Sequence, residues 1–264
     1  MSFIKELQES GILDRMSPIS LDEMKTVRLM SRTDTKYVAS ERMLMPVLEK
    51  AAEFGYMVQY TTTALGGYNS VYYDTEALEM YVRHHNRILK RQKIRVRTYL
   101  DSGITFFEIK NKTNKGRTKK VRIPVENTDC KAVFDNAGAA EFLKENSRYT
   151  PEMLSPSLQT KFNRITLVNP QKTERITIDM NVEFTNFRNG TSKMLEGLSI
   201  IELKKDGRYS SVMGKILQDF RIKPFKISKY CIGTVLTNPD VKANRFKRKI
   251  HLLNIIKNKQ YAVT

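Results

Sequence analysis

Polar and apolar residues trade places with period two along residues 90–124. Arg91, Lys93, Arg95 and Arg97 interleave with Gln92, Ile94 and Val96. Further on, Glu108 and Lys110 alternate with Phe107 and Ile109, and Lys120 and Arg122 with Val121 and Ile123. Successive side chains of a strand point to opposite faces. The stretch therefore predicts strands with one cationic face and one largely apolar face. Turn residues at 101–103 and 114–116, each ending in glycine, make these strands antiparallel hairpins.

The same alternation returns elsewhere. Arg32, Asp34 and Lys36 fall on one face of a predicted strand over 31–38. Phe162 and Arg164 share a face within 157–168, Arg175, Thr177 and Asp179 within 175–179, and Glu202 and Lys204 within 198–204. Residues 56–63 and 68–73 are rich in aromatic and β-branched types and read as strands, with Gly66 and Gly67 between them.

Helical spacing fills the intervals. Ser20 and Glu23 have capping-box spacing, predicting a helix to about residue 29. Ser40 reads as the N-cap of a helix through residue 54, although Pro46 lies deeper than a first helical position. Further helices are predicted over 76–85, 129–146 and 210–220, and a basic amphipathic one over 242–259. Residues 147–157 read as a linker and 226–233 as a loop. The organisation expected is an N-terminal helical segment (1–30), a main domain (31–236) and a basic C-terminal helix or tail (237–264) packed on it.

Charge sharpens this picture. The 264 residues carry 46 Lys plus Arg against 28 Asp plus Glu, a net charge of +18. Such an excess favours anionic partners. Cys130 and Cys231 are far apart and suggest neither a disulfide framework nor a zinc site. His84 and His85 lack metal-ligand partners and read as surface residues. No signal-peptide core or membrane-length apolar run is present, so a cytoplasmic location is expected.

Like charges on adjacent strands repel. They become tolerable if the sheet closes and an anion fills its interior, and about eight strands enclose room for side chains or one small ligand. The expected fold is thus α+β: a closed antiparallel β-barrel with cations inside and flanking helices outside. Glu202 and Glu108, each sharing a face with a lysine, read either as ion-pair partners or as ligands for Mg²⁺ or Mn²⁺. Asp34 reads as an ion-pair partner of Arg32 or Arg95.

The segments RTDTKY (32–37), SVYYDT (70–75), KIRVRTY (93–99), FFEIK (106–110), RTKKVRI (117–123), FNR (162–164), ERITID (174–179), IIELK (200–204) and SKYCIG (228–233), in this order, carry a family resemblance. The chain resembles the VTC domain, the polyphosphate polymerase module of the vacuolar transporter chaperone complex and its bacterial relatives, among the triphosphate tunnel metalloenzymes. The resemblance implies an antiparallel β-tunnel and transfer of the γ-phosphoryl of ATP to a growing polyphosphate chain. It implies catalytic roles for Lys36, Arg95, Arg97, Lys110, Arg164 and Lys229. Substrate contacts would come from Arg32, Lys120, Arg122, Lys204, Lys226, Ser228 and Phe162. Glu202 would hold Mn²⁺ or Mg²⁺, with Glu108 a secondary candidate. Two departures stand out. The wider superfamily opens with ExExK, where this chain has Arg32, Asp34 and Lys36, and a tyrosine frequent in the xNR strand is Phe162 here.

ATP and inorganic polyphosphate or triphosphate are the expected partners. A triphosphatase or nucleoside triphosphatase on the same scaffold, and a polyphosphate-binding module without turnover, remain as alternatives. A nucleic-acid partner is not expected, because the cations are confined to alternating strand positions without an RNA-binding aromatic pair or a helix-turn-helix pattern.

Overall fold

The computed structural model describes residues 3–27, 32–126 and 129–258. In chain order the elements are α1 (Phe3–Glu9), β1 (Pro18–Ile19), α2 (Leu21–Thr26), β2 (Arg32–Ser40), α3 (Glu41–Glu53), β3 (Met57–Gln59), β4 (Gly66–Asp74), α4 (Glu79–His85), β5 (Arg91–Tyr99), β6 (Thr105–Lys112), β7 (Thr118–Val125), α5 (Ala137–Asn146), β8 (Ser155–Val168), β9 (Glu174–Asn186), β10 (Ser192–Met194), β11 (Leu198–Asp206), α6 (Val212–Asp219), α7 (Lys229–Thr237) and α8 (Asn244–Asn258). The fold is α+β, built on one large sheet with strand order β2-β11-β9-β8-β4-β5-β6-β7. All pairings along that path are antiparallel.

The outward face of the sheet is apolar and carries helices. Tyr37, Ile165, Leu167, Ile176, Ile178, Ile201 and Leu203 pack against Leu44, Val47 and Leu48 of α3 and Met213, Ile216 and Leu217 of α6. Val71, Tyr73, Ile94, Phe107 and Ile109 pack against Ala139 and Leu143 of α5. Burial at roughly 25 cal/mol per Å² of apolar surface thus fixes which face turns out, and the charged positions between these residues turn in.

Helices cover part of the inward face as well, which the sequence reading did not expect. The segment 226–233, read as a loop, starts α7, with Ser228 as N-cap accepting from Cys231 N at 3.3 Å. α7 lies against inward-facing Leu158 and Phe184. Gly233 permits this approach: a Cβ there would stand 2.4 Å from Phe184 Cδ1 and 2.6 Å from Leu158 Cδ2. The Tyr230 hydroxyl donates to Asp74, a buried carboxylate that also accepts from Met80 N and Tyr81 N at 2.9 Å. One carboxylate thereby ties α7 to the start of α4.

The hydrogen-bond ladder does not close the sheet. Its path ends at β2 and β7, so the ladder does not make the closed barrel expected from sequence. The free edge of β2 is taken instead by residues 224–225. Phe225 N donates to Lys36 O at 2.6 Å, and Tyr37 bridges Pro224. The chain then crosses to β5, where Lys93 Nζ donates to Ser228 Oγ at 3.0 Å. This seam segment links the free edge of β2 to Lys93 on the inward face of β5.

Other boundaries moved for local reasons. The Ser20–Glu23 capping box is present, but α2 stops at Thr26; the expected end near 29 lies outside the described residues. The strand expected over 56–63 is only β3, because Thr61 N turns back to Thr63 O. Pro156 is not in a linker but within β8, where pairing with β4 shifts register. β9 runs well past Asp179. His85 is buried against Tyr81 and Phe246, and half-buried His84 lies 3.0 Å from Cys231 Sγ through Nδ1, so neither is a surface residue. No helix among the described residues is long and apolar enough to cross a membrane.

Candidate active site

The inward face of β2, β11, β9, β8, β4, β5 and β6 gathers most of the predicted residues into one basic lumen. Cross-strand register sets the rows. Glu202 lies beside Lys36 on β2 and Thr177 on β9. Arg164 lies beside Asp179, Arg95 beside Glu108, and Lys93 beside Lys110. The sheet curls far enough for Lys110 on β6 to feel Glu202, Lys36 and Asp34 on β11 and β2.

Each lumen cation has a defined setting. Arg95 donates to Glu108 Oε2 through Nη2 and Nε at 2.6 and 2.8 Å, and to the Tyr72 hydroxyl at 3.1 Å. Lys120 Nζ takes the other oxygen of Glu108 at 2.8 Å. Arg97 donates to Ser70 Oγ at 2.9 Å and lies over the rings of Tyr68 and Phe162. Arg164 forks onto both oxygens of Asp179 at 2.5 and 2.9 Å, and Lys229 also pairs with Asp179. Phe162 is buried and stacks on Tyr68, with ring centroids 5.2 Å apart. Its face is therefore occupied by Tyr68, Arg97, Arg164 and Lys229.

Four predicted contacts sit at the margins. Arg32 is half exposed and pairs with Asp34 at 2.6 Å, as expected for Asp34. Arg122 is exposed and stacks on Phe106 at 4.1 Å. Lys226 is exposed on the seam, close to Lys112 and Lys249 rather than in the lumen rows. Ser228 accepts from Lys93 and from Cys231 N, leaving its hydroxyl proton to donate.

The carboxylates divide sharply. Asp34, Glu108 and Asp179 have short cationic partners. Among the described residues Glu202 pairs only with Lys204, at 3.6 Å, and makes no hydrogen bond. Burial would raise the Glu202 pKa, but Lys36, Lys204, Lys110 and Arg164 overcome this and hold it down at about 2. Next to it, Thr177 Oγ1 and Arg175 Nε are buried without a hydrogen-bond partner. Among the described residues no cluster of three His, Cys, Asp or Glu side chains could form a metal cage by itself. The donor set instead fits a Mg²⁺ or Mn²⁺ ion that takes one carboxylate from Glu202 and the rest of its oxygens from phosphate and water. Glu108 does not fit, since both its oxygens are engaged.

Sequence reasoning missed three contributors. Asp179 was placed on the correct face but not recognised as the anchor of Arg164 and Lys229. Lys93 was seen in the cationic row without a site role. Tyr72 was not singled out; burial raises its hydroxyl pKa, yet Arg95, Arg97, Lys93 and Lys229 outweigh burial and bring it to about 7. Its alternation with Ser70 and Tyr68 on one strand face was the available clue. Burial also lowers Lys93, Lys204 and Lys229 to about 8 and Arg97 to about 10.

The family model for the VTC domain matches residues 31–238. The chain belongs to the VTC domain family. Solved structures with a similar fold include a putative adenylate cyclase from Bacillus halodurans, 12% identical, covering 83% of this chain and 100% of that one with a TM-score of 0.51. A putative adenylyl cyclase from Hippeastrum, described as having a dominant triphosphatase activity, is 11% identical over 79% of this VTC-domain chain and 97% of its own, with a TM-score of 0.50. At these identities the two structures bear on the fold alone. No curated protein sequence matches the chain.

Proposed function

We propose that this VTC-domain protein is a metal-dependent polyphosphate polymerase, transferring the γ-phosphoryl of ATP to the end of a phosphate chain held in the lumen. The observation that carries this reading is Glu202: a single carboxylate that among the described residues has no hydrogen-bond partner, set among four cations and beside two polar atoms likewise unpartnered there. That setting suits a triphosphate whose metal takes one protein oxygen. The Mn²⁺ or Mg²⁺ that Glu202 would hold supplies neutralisation of phosphate charge.

Phosphoryl transfer depends mainly on positioning and charge stabilisation. Arg97, which spends only Nε on Ser70, presents a planar fork to phosphate oxygens; Arg95 and Arg164 add charge and the N–H groups that Glu108 and Asp179 leave free, and Lys36, Lys110, Lys204 and Lys229 present point charges. A terminal phosphate oxygen of the chain attacks the γ-phosphorus. The bond to the β–γ bridging oxygen breaks, and ADP leaves with that electron pair. The attacking oxygen is already anionic, so no base is required. This favours chain growth over hydrolysis: Glu108, Asp179 and Glu202 are all held ionised, well below ordinary carboxylate values, and are poor bases for water.

Incubation with ATP and Mn²⁺ or Mg²⁺, with a short-chain primer, yields long chains and ADP on this reading. Release of free phosphate without chains would replace it with a triphosphatase. Tight binding without turnover would leave a polyphosphate-binding module.

A further inference from the structure

Five cations collect outside the lumen, where the seam segment meets the ends of β5 and β6, the turn after α4, and α8. Arg91 lies directly opposite Lys112. They form the next like-charged cross-strand pair beyond Lys93 and Lys110, and such pairs repel. Lys226 is close enough to repel both Lys112 and Lys249, and Arg87 repels Lys249. Backbone contacts hold part of the group in place: Lys249 Nζ donates to Lys226 O at 2.5 Å, and Arg91 Nη1 to Ile88 O at 2.7 Å.

Among the described residues, none of the five forms an ion pair, whereas Lys50, Arg148 and Lys257 elsewhere on the surface each meet a carboxylate. Beneath them sits His84. Burial first, then Lys93, Arg91, Lys249 and Lys112, keep its imidazole neutral, so it supplies no counter-charge. Those same four cations include Lys93 of the lumen, so the outer group and the lumen form one continuous field. Arg87 also has φ 62°, a left-handed backbone that side chains other than glycine adopt at a cost.

We propose that Arg87, Arg91, Lys112, Lys226 and Lys249 form a second polyanion site, joined to the lumen through Lys93, which holds the part of a linear phosphate chain that extends beyond the lumen. This rests on the phosphate-chain reading of the lumen. A counter-ion of many closely spaced charges relieves the repulsion among the five, and a triphosphate confined to the lumen does not reach them.

Binding without turnover tests it. Tripolyphosphate and a long polyphosphate are titrated into wild type, Arg87→Gly, and Arg87→Gly/Lys249→Gln. Arg87→Gly relaxes the left-handed backbone, and Lys249→Gln keeps a donor toward Lys226 O. For a chain of roughly 100 phosphates, the double variant binds about tenfold more weakly, and its salt slope falls by about 1.4 for two lost cations. Tripolyphosphate affinity stays within about twofold, since neither residue lies in the lumen. Equal weakening of both ligands, or of neither, overturns the site. So does a single-stranded RNA that binds as tightly as the long chain and is not displaced by it. Chain synthesis from ATP by wild type is scored separately. Its failure, with patch-dependent long-chain binding intact, removes the polymerase reading and leaves the outer site standing.

Discussion

The inward face of the sheet has two halves with opposite chemistry. On β2 it passes from Asp34 and Lys36 to Val38, on β11 from Lys204 and Glu202 to Ile200 and Leu198, and on β9 from Arg175, Thr177 and Asp179 to Val182 and Phe184. The apolar half is covered by Tyr230, Cys231 and Ile232 of α7, which bury it as any core is buried. The charged half holds Arg164, Lys229, Lys36 and Lys204 around two carboxylates, beside polar atoms without partners. Apolar surface is stabilised by whatever covers it, whereas enclosed charge is stabilised only by specific opposite charge. The protein therefore completes one half itself, and on the proposed reading an anion completes the other.

Asp179→Ala strikes the comparison hardest. It leaves Arg164 and Lys229 enclosed without their shared carboxylate, a loss of about 3–5 kcal/mol. Thermal unfolding should also show tripolyphosphate restoring more stability to this variant than to wild type. Equal shifts in both would mean that the ligand does not neutralise these cations.

Glu202→Gln comes next. Turnover should fall about 10²–10³-fold while tripolyphosphate binding without metal holds or tightens, because a negative charge leaves the neighbourhood of Lys36, Lys110 and Lys204. Binding and turnover weakening together would make Glu202 a structural counter-ion.

Gly233→Ala tests the apolar half. The added methyl meets Phe184 and Leu158 and should cost about 1–3 kcal/mol, lowering Tm by about 2–4 °C per kcal/mol. An unchanged Tm would show that α7 does not press on β8 and β9.

The smallest effect is in pH. Lys93, Lys204 and Lys229 have folded pKa values of about 8, below the usual 10.5. The unfolded chain then binds more protons between these values, so the free protein gains stability as pH rises through that window. Phosphate favours the charged lysines, so binding should take up protons near the lower end of the window and weaken toward the upper end. Calorimetry in two buffers of different ionisation enthalpy measures that uptake, and zero uptake would place the lysines outside the phosphate site.

The strands were legible where alternation was unbroken. Arg91 to Arg97 reads correctly because every second residue is a cation and the bases of the row never slip. β9 was cut short for the opposite reason. Asn181 adopts φ 49°, two residues of β9 (Asn181 and Val182) there oppose one of β8 (Phe162), and the inward set shifts from Asp179 to Val182. Past that bulge the period-two pattern is out of phase and looks like an ending. The α7 sequence, rich in Ile, Val and Thr, has little helical periodicity because nearly every side of it is buried. Lumen cations could be read from single strands, but the choice between Glu108 and Glu202 could not. It depends on which cations reach each carboxylate across the fold, and Lys120 and Arg95 reach only Glu108.

In a closed barrel the bore follows from strand number and stagger, so it cannot change without re-registering every strand. Here one stretch of wall is the irregular run from Pro224 to Ser228, anchored to β2 by the Phe225 amide and to β5 through Ser228. This stretch of wall is thus tied to no strand register, and an insertion there would lengthen it while the pairing of the strands stayed as it is.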